Sequence, residues 1–413
     1  MQLSDIAEAI VDCEHKTAPK GDGFAYSVGT KAMKGGRLVL DAAKPVSEET
    51  YVGWTRRTRP KPGDLILARE APVGDVIRVP EHPHLCLGQR TVLIRPDAKM
   101  VNPRFLHYWL LGPDAQGVMR AQTGGATVGH LNVGDIRKLN VTPMPVDADH
   151  QANVAEVLGS IDDLIENNRR RIELLEETAR AIYREWFVNY RYPGHEDVPM
   201  VDSALGLIPD GWEVQPLAAI ATVNGSSRKP GGDEVFRYLD ISALSERHIG
   251  ELEAIGGSSA PGRARRVVSP GDTVWATVRP NRRAHALLVA PDSDWIASTG
   301  LAVLTPSTVS PDFLFETSSA TAFSDWLVGR ATGSAYPAVR AKDFEEAPIV
   351  VPDVAVDAAF ADKVSPMHDL SWRLRNECSR LAALRDLLLP KLVTGQIDIS
   401  TLDLDALVAR QVA

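Results

Sequence analysis

The longest regular pattern in the chain is a run of apolar residues spaced alternately three and four apart, which ends at Trp186. This heptad spacing predicts a long helix that buries one seam against a partner helix. One seam position is the polar Asn168, and a buried asparagine in such a seam fixes the register of the pairing. The seam consists of Leu158, Ile161, Ile165, Asn168, Ile172, Leu175, Ala179, Ile182 and Trp186.

A second seam with the same rhythm lies near the C-terminus, and it predicts a second long helix. Pro366 is expected either to start this helix behind Ser365 or to kink it, and Pro390 is expected to end it. The apolar seam consists of Phe360, Val364, Met367, Leu374, Cys378, Leu381 and Leu388.

We expect the two helices to pack on each other as an antiparallel pair that separates two domains. The alternative is that each helix packs only on its own domain. From Val154 to Trp186, a helix would span roughly 50 Å at ~1.5 Å per residue. That length corresponds to about 15 base pairs of DNA, so the pair is suited to act as a ruler.

The sequence before each long helix is repeated. The stretch PGDLILAREAP at 62–72 matches PGDTVWATVRP at 270–280, and the Thr-Gly segment at 122–145 matches the one at 331–352. Pro-Gly-Asp between apolar runs is a turn signal, because proline presets φ and glycine tolerates positive φ. The repeat therefore predicts two similar globular domains of mixed α/β (α+β) fold.

These patterns divide the chain into four parts. We expect a first domain at 1–145, a spacer helix and linker at 146–205, a second domain at 206–352, and a second spacer helix with the C-terminal tail at 353–413.

The chain has 413 residues and a net charge of −9, and the charge is unevenly distributed. Residues 1–145 hold 19 basic and 15 acidic side chains (+4), whereas residues 146–205 hold 6 basic and 13 acidic ones (−7). Short basic clusters at 56–61, 262–266 and 279–283 are compatible with local nucleic-acid contacts. Three scattered cysteines favour a reducing, cytoplasmic location, and no apolar run is long enough to cross a bilayer.

The sequence lacks the motifs that an enzyme of nucleic-acid metabolism would need. It contains no phosphate-binding loop, no Asn/Asp-Pro-Pro-aromatic stretch and no Gly-x-Ser-x-Gly elbow. The glycines at 21–29 lack the spacing of a dinucleotide site. Asp64, Glu70 and Asp75 could suggest a nuclease cluster, but turn chemistry explains them better. We therefore expect no catalytic residue in this chain.

One group of residues resembles a metal site in composition. Cys13, His15, His82, His84 and Cys86 include types that bind zinc, but the paired Cys-x-x-Cys spacing of structural zinc sites is missing. We expect an ordinary strand edge and no metal.

Several stretches resemble the DNA specificity subunit of type I restriction-modification systems, in the order in which that family has them. They cover practically the whole chain. They are VDCEHKTAP at 11–19, PGDLILAREAPVGDV at 62–76, CLGQRTVLIRP at 86–96, TGGATVGHLNVGDIRKLNVTPMP at 123–145, GLIPDGWEVQPLAAIA at 206–221 and LRDLLLPKLVTGQI at 384–397.

The resemblance implies a non-catalytic subunit whose two target recognition domains each read one half of a split, asymmetric DNA site. It implies that the helices set the gap between the half-sites and dock two copies of an adenine methyltransferase subunit. S-adenosylmethionine would be bound by that partner, and no cofactor by this chain. Two ATP-dependent restriction subunits can join such a complex. Glu166, Glu173, Glu176 and Glu177 are candidate docking residues on the first helix.

Residues that read DNA are expected among polar side chains in the motifs that flank the turns. Arginine and lysine suit guanine, and asparagine and glutamine suit adenine. Arg282 and Arg283 are expected to form one phosphate-contacting patch. The candidates of the first domain are His15, Lys16, Arg69, Gln89, Arg90, Thr127 and His130, and those of the second are Arg228, Lys229, Arg279, Asn281, Arg282, Arg283, Tyr336 and Arg340.

Two other functions stay open at this stage. One is a self-contained DNA-modifying enzyme with a cryptic active site, and the other is a helical scaffold that assembles partners without reading DNA.

Overall fold

The structure is a computed structural model, and it describes residues 1–123, 129–333 and 336–397. The chain forms two compact units, each of which includes part of both long helices. Unit 1 comprises residues 1–166 together with those from 378 onward, and unit 2 comprises residues 167–377.

In the first half of the chain, the strands and helices are short until the long helix α5. The strands are β1 (Ala7–Asp12), β2 (Ala25–Val28), β3 (Met33–Lys34), β4 (Arg37–Leu38), β5 (Lys44–Val46), β6 (Leu65–Ala68), β7 (Val76–Arg78), β8 (Leu85–Leu87) and β9 (Thr91–Pro96). The helices are α1 (Glu48–Trp54), α2 (Pro103–Leu111), α3 (Pro113–Gln122), α4 (Val133–Arg137) and α5 (Ala148–Tyr183).

The second half repeats this arrangement and ends with the long helix α9. The strands are β10 (Met200–Ser203), β11 (Gly206–Pro209), β12 (Glu213–Pro216), β13 (Ala221–Val223), β14 (Val235–Leu239), β15 (Leu244–Ser245), β16 (His248–Ile249), β17 (Glu253–Gly256), β18 (Ala264–Val267), β19 (Thr273–Ala276), β20 (His285–Leu287), β21 (Trp295–Ser298), β22 (Leu301–Pro306) and β23 (Pro348–Val351). The helices are α6 (Pro311–Ser319), α7 (Thr321–Arg330), α8 (Ala341–Glu345) and α9 (Val354–Val393).

The main sheet has the same topology in both units. It is a four-stranded antiparallel sheet with the order β1-β9-β6-β7 in unit 1 and β13-β22-β19-β20 in unit 2. The register of the central pair is also the same, since Leu65 faces Ile94 and Thr273 faces Leu304. A second sheet in each unit contains one parallel pair, β2 with β8 and β14 with β21. The mixed α/β fold with a repeated domain is thus confirmed.

The repeated Pro-Gly-Asp sequence makes the same corner in both units. Gly63 and Gly271 adopt φ values of +89° and +88°, where a side chain would be strained. The following aspartates accept a hydrogen bond from the backbone three residues earlier, at 2.8 Å for Asp64 and 2.7 Å for Asp272. Strands β6 and β19 begin directly after these aspartates. Turn chemistry therefore explains both aspartates.

The long helices pack against each other within each unit. In unit 1, the Nε2 atom of His150 lies 3.2 Å from the carbonyl oxygen of Leu392, and Arg385 donates to Asp162 at 2.9 Å. In unit 2, Asn168 donates to Glu377 at 3.1 Å. As the residue number rises along α5 from 150 to 168, the number of the partner in α9 falls from 392 to 377. The two helices are therefore antiparallel, as predicted.

The predicted heptad seams are buried or half-buried throughout the described chain. Asn168 is 1% exposed and donates its amide to a carboxylate, as expected for a register-fixing polar position. The first helix ends slightly earlier than predicted, because the α-helix gives way after Tyr183 to a π-helical turn at Arg184–Val188.

The helix boundaries predicted at the two prolines of the second helix are wrong. Helix α9 begins at Val354 and runs through Pro366, so Pro366 does not start it, and it continues past Pro390 to Val393. A proline removes only one backbone hydrogen bond, and packing on both sides of it can maintain the helix. Val364 before Pro366 is fully buried, and Leu392 and Val393 beyond Pro390 are each 1% exposed in the core of unit 1.

A buried network of charges ties α9 to the rest of unit 2. His368 lies between two carboxylates, with Nδ1 2.6 Å from Asp312 and Nε2 2.9 Å from Glu316. Arg247 donates to both oxygens of Glu316 at 2.6 and 3.1 Å, and it lies over the ring of Phe315.

No α-helix of the described residues is long and apolar enough to span a membrane.

The pKa values in this network follow from burial and pairing. Burial alone would lower the pKa of His368, but its hydrogen bonds to Asp312 and Glu316 and their charges raise it above the usual range. Burial would raise the pKa of Glu316, but the charges of Arg247 and His368 lower it to about 2.

We predict that His368 makes the stability of unit 2 dependent on pH. Because its pKa is raised on folding, the stabilisation is fully present below the unfolded pKa of about 6.5 and is lost as the pH rises through the folded pKa. His368→Gln should lower the free energy of unfolding by about 3 kcal/mol at pH 6, since it removes the cation beside the buried Asp312 and one of the two cations beside Glu316. Urea unfolding at pH 6 and pH 9 checks this. A cost that is equal at the two pH values would contradict it.

Candidate nucleic-acid interface

A backbone pairing places the candidate residues of unit 1 on one surface. The Thr-Gly segment pairs with the residues after β6 through an isolated bridge between Glu70 and His130, and the N–H of Leu131 donates to the carbonyl of Arg69 at 3.0 Å. The N–H of Arg69 donates to the carbonyl of Arg90 at 2.9 Å. Segments up to 62 residues apart in sequence (131 − 69) therefore meet at one end of the main sheet.

Arg69 lies at the base of this surface and is 8% exposed. One of its terminal nitrogens lies 3.5 Å from Asp12 and the other 3.3 Å from Nδ1 of His15. His15 also bonds Asp12 through Nε2 at 2.9 Å, and its backbone has a positive φ of 53°. This buried arginine orients His15 rather than standing free to contact DNA.

A second carboxylate holds the outer part of the surface. Glu70 binds Nδ1 of His130 with one oxygen and Nε of Arg90 with the other, the latter at 2.9 Å. The Gln89 amide donates to the carbonyl of His15 at 3.3 Å. The surface, hereafter the unit 1 polar surface, comprises Asp12, His15, Arg69, Glu70, Gln89, Arg90 and His130.

The two remaining candidates of the first domain are placed differently. Lys16 is exposed beside His15. Thr127 lies outside the described residues.

A basic loop that was not among the candidates lies next to this surface. Arg57 donates to the carbonyl of Asp12 at 3.4 Å and pairs with Glu14 at 3.5 Å. Its neighbours Arg56, Arg59 and Lys61 are exposed. The basic composition of the loop was visible in the sequence, but its position beside the His15 segment depends on tertiary contacts 45 residues apart.

The corresponding surface of unit 2 is built by the same backbone pairing with other side chains. Val278 forms a bridge with Ala338, and the N–H of Val339 donates to the carbonyl of Thr277 at 2.9 Å. Each of these residues lies 208 positions after its counterpart in unit 1. The pairing is thus repeated, while the Glu70–His130 pair becomes Val278–Ala338.

An arginine and an aromatic ring define the chemistry of this second surface. The guanidinium of Arg279 lies 4.6 Å from the ring centroid of Tyr336, which is 68% exposed. The backbone N–H of Arg279 donates to the carbonyl of Pro337 at 2.7 Å. A ring and a guanidinium that stack on each other form a flat, cationic group suited to the edges of bases or to phosphate.

The two neighbouring arginines that were expected to act as one patch differ in their surroundings. Arg282 is exposed, as are Asn281 and Arg340. Arg283 instead binds Glu246 at 3.1 Å, the carbonyl of Ser319 at 2.6 Å and the hydroxyl of Thr321 at 3.2 Å. Its three contacts hold a loop onto helices α6 and α7, so Arg283 is a structural residue as well as a cation.

Arg228 and Lys229 lie by the edge of the second sheet of unit 2. Arg228 forms a two-point ion pair with Glu234, at 2.8 and 2.5 Å, whereas Lys229 is exposed. The N–H of Arg228 donates to the carbonyl of Arg265 at 2.8 Å, which brings the basic stretch 262–266 beside it. The pairing with Glu234 neutralises Arg228, so Lys229 is the free cation of this pair.

The suspected metal ligands do not come together as a group. Asp12, Cys13 and His15 have ligand atoms within 4.8 Å of one another, but the guanidinium of Arg69 already lies against two of them. His84 stacks on the ring of Tyr51, and His82 lies edge-on to His84. Burial raises the pKa of the Cys86 thiol to about 11, which disfavours the thiolate that a metal needs.

The candidate docking residues on α5 also differ in their surroundings. Glu173 and Glu177 are exposed. Glu176 is half-buried and pairs with Arg375 and, at 3.8 Å, with Arg247. The fold of unit 2 therefore uses Glu176, which heptad position alone did not show.

Comparisons with known proteins agree with this architecture. No model of a known protein family matches the chain. The chain is 23% identical over 363 residues to the type I restriction enzyme MjaIX specificity subunit of Methanocaldococcus jannaschii, which covers 86% of this chain and 82% of the relative. It is 20% identical over 366 residues to the putative MjaX specificity subunit of the same organism, over 82% and 79% of the two chains.

A solved structure has the same fold. The S subunit of a type I restriction-modification system from M. genitalium superposes with a TM-score of 0.58 at 14% identity, over 95% of both chains. The resemblance seen in the sequence is thereby confirmed: over most of its length, the chain is similar to type I restriction specificity subunits.

We predict different consequences for the two neighbouring arginines of unit 2. Arg283→Ala removes three hydrogen bonds made by a charged group and should lower the free energy of unfolding by about 1.5–3 kcal/mol. Arg282→Ala, the matched control, should change it by less than about 0.5 kcal/mol because Arg282 is exposed. Thermal unfolding of both variants checks this, and equal losses would show that the contacts of Arg283 contribute nothing.

Proposed function

We propose that the chain is the sequence-specific DNA-binding subunit of a type I restriction-modification complex. The observation that carries this proposal is the extended similarity to specificity subunits together with two units of one topology. Unit 1 would read one half of a bipartite, asymmetric DNA site, and unit 2 the other half.

The chemistry of the two polar surfaces supports different half-sites. The same backbone pairing presents a histidine, arginines and carboxylates in unit 1, but an arginine stacked on a tyrosine in unit 2. Base edges in the major groove are distinguished by their pattern of donors and acceptors. Two surfaces with different donors and acceptors therefore select different bases, which makes the combined site asymmetric.

Exposed cations around each surface would supply the contacts to phosphate. In unit 1 these are Lys16, Arg56, Arg59 and Lys61, and in unit 2 they are Lys229, Arg282 and Arg340. Phosphate contacts orient a protein on the duplex without carrying sequence information. Their exposed positions suit that role, whereas Arg90 and Arg279 are held by neighbours and suit base recognition.

The partners and the location form part of the same proposal. The long helices α5 and α9 would dock two adenine methyltransferase subunits, and restriction subunits would join through the assembled complex. S-adenosylmethionine would be bound by the methyltransferase, so this chain would be non-catalytic and hold no cofactor. The complex would act on DNA in the cytoplasm.

We predict that the purified chain transfers no methyl group by itself. With duplex DNA and labelled S-adenosylmethionine, label should enter DNA only when the methyltransferase subunit is added, and a footprint of the complex should protect two separated stretches. Methylation by this chain alone would favour a self-contained enzyme. A complex that gives no sequence-specific footprint would favour a scaffold.

We predict that the exposed arginines of unit 2 contribute to the salt dependence of binding. Each phosphate contact contributes about −0.9 to the slope of log K against log salt. The double variant Arg282→Ala with Arg340→Ala should therefore flatten the slope of the complex by about 1.8. The matched control is Lys99→Ala, an exposed lysine in the turn after β9, at the opposite end of that strand from Arg90, which should leave the slope unchanged. An unchanged slope in the double variant would remove these two residues from the DNA interface.

A further inference from the structure

The carboxylate of Glu70 is placed at the centre of the unit 1 polar surface. Its side chain is 21% exposed, and its two oxygens contact two different side chains, those of Arg90 and His130. A carboxylate on a DNA-facing surface is repelled by phosphates, so its presence there calls for a specific role.

The fold itself does not need this carboxylate. At the equivalent position of unit 2, Val278 makes the same backbone bridge, to Ala338, and the neighbouring hydrogen bond from Val339 to Thr277 is also kept. A valine therefore suffices for the backbone pairing. What Glu70 adds is confined to the side chains of Arg90 and His130.

The pairing with Glu70 leaves the two terminal nitrogens of Arg90 available to donate to a base. Glu70 forms an ion pair with Arg90, with a carboxylate oxygen 2.9 Å from Nε, and among the described residues the two terminal nitrogens of Arg90 have no hydrogen-bond partner. These two nitrogens are spaced to donate together to O6 and N7 of guanine. A free arginine would have to give up side-chain entropy on binding and would contact the nearest phosphate equally well.

The pairing with Glu70 gives His130 the opposite role to Arg90, that of a hydrogen-bond acceptor. Because the Glu70 carboxylate accepts from Nδ1, that nitrogen carries the proton, and in the neutral ring Nε2 is left as an acceptor. An acceptor at this place matches the amino group of adenine or of cytosine in the major groove.

We propose that Glu70 is a positioning residue for base recognition by unit 1. It holds Arg90 to read a guanine and His130 to read a base with an amino group, and it prevents Arg90 from acting as a general phosphate contact. This inference rests on the proposed function, and it assigns the discrimination at one half-site to a residue that does not itself contact DNA.

The test uses the complex of the full-length chain with the methyltransferase subunit that partners it. The probe is a library of DNA duplexes with a randomised central segment, and the duplexes retained by the complex are sequenced. Wild type, Glu70→Gln and Glu70→Ala are compared, with Val278→Ala as the control at the repeated position of unit 2. The salt slope of binding and the thermal midpoint are measured for each protein.

The expected result is a loss confined to one half of the selected motif. In Glu70→Ala, the preference for guanine at one position of that half should fall by about tenfold or more, since a bidentate contact gives discrimination of that order. Glu70→Gln has the same shape without the charge and should lose less. The salt slope should steepen by up to about 0.9, because the released Arg90 can then contact a phosphate. The other half of the motif and the thermal midpoint should stay as in wild type, and Val278→Ala should not change the first half.

Three outcomes overturn the inference. An unchanged motif in Glu70→Ala shows that Arg90 and His130 need no carboxylate to read DNA. Equal weakening of both halves, or a lowered thermal midpoint in Glu70→Gln, shows a general structural role. A wild-type complex that selects no bipartite motif refutes the proposed function itself, and this result is distinct from the other two.

Discussion

The arrangement of both polar surfaces depends on one backbone constraint, the pairing of the Thr-Gly segment with the residues that follow the central strand of the main sheet. It is made by the hydrogen bonds from Leu131 to Arg69 and from Val339 to Thr277, at 3.0 and 2.9 Å. Because backbone groups make these bonds, the side chains at the same positions are free to differ. One fold can thereby present two chemistries, which is what a protein that reads an asymmetric site requires.

The sequence of the long helices is more constrained than that of the polar surfaces. The helix seams must stay apolar and in register over many turns. The one buried amide in the first seam, that of Asn168, donates a hydrogen bond to Glu377. In unit 2, the network of His368, Glu316 and Arg247 adds a polar attachment of α9 to the globular part. A buried network of this kind is costly if a partner is removed, and the pairing of His368 and Glu316 favours one packing arrangement of α9 over others.

Much of the fold could be predicted from the sequence, because repeats, heptads and Pro-Gly-Asp corners are local patterns. The errors have physical causes that a local pattern does not contain. Pro366 and Pro390 do not interrupt α9, since buried neighbours maintain it, and Arg283 and Glu176 are held by contacts with distant segments. For the candidate site, composition identified His15, Arg90 and His130. The pairing of Arg90 and His130 with Glu70 required the three-dimensional arrangement.

The central claim is that one chain carries two DNA-reading units with different specificities. Its most direct test is to map methylated adenines in the genome of the source organism, with and without the gene for this chain. We expect methylation at a bipartite, asymmetric motif with a fixed gap, and loss of that motif when the gene is deleted. Methylation that persists after deletion, or a single uninterrupted motif, would contradict it.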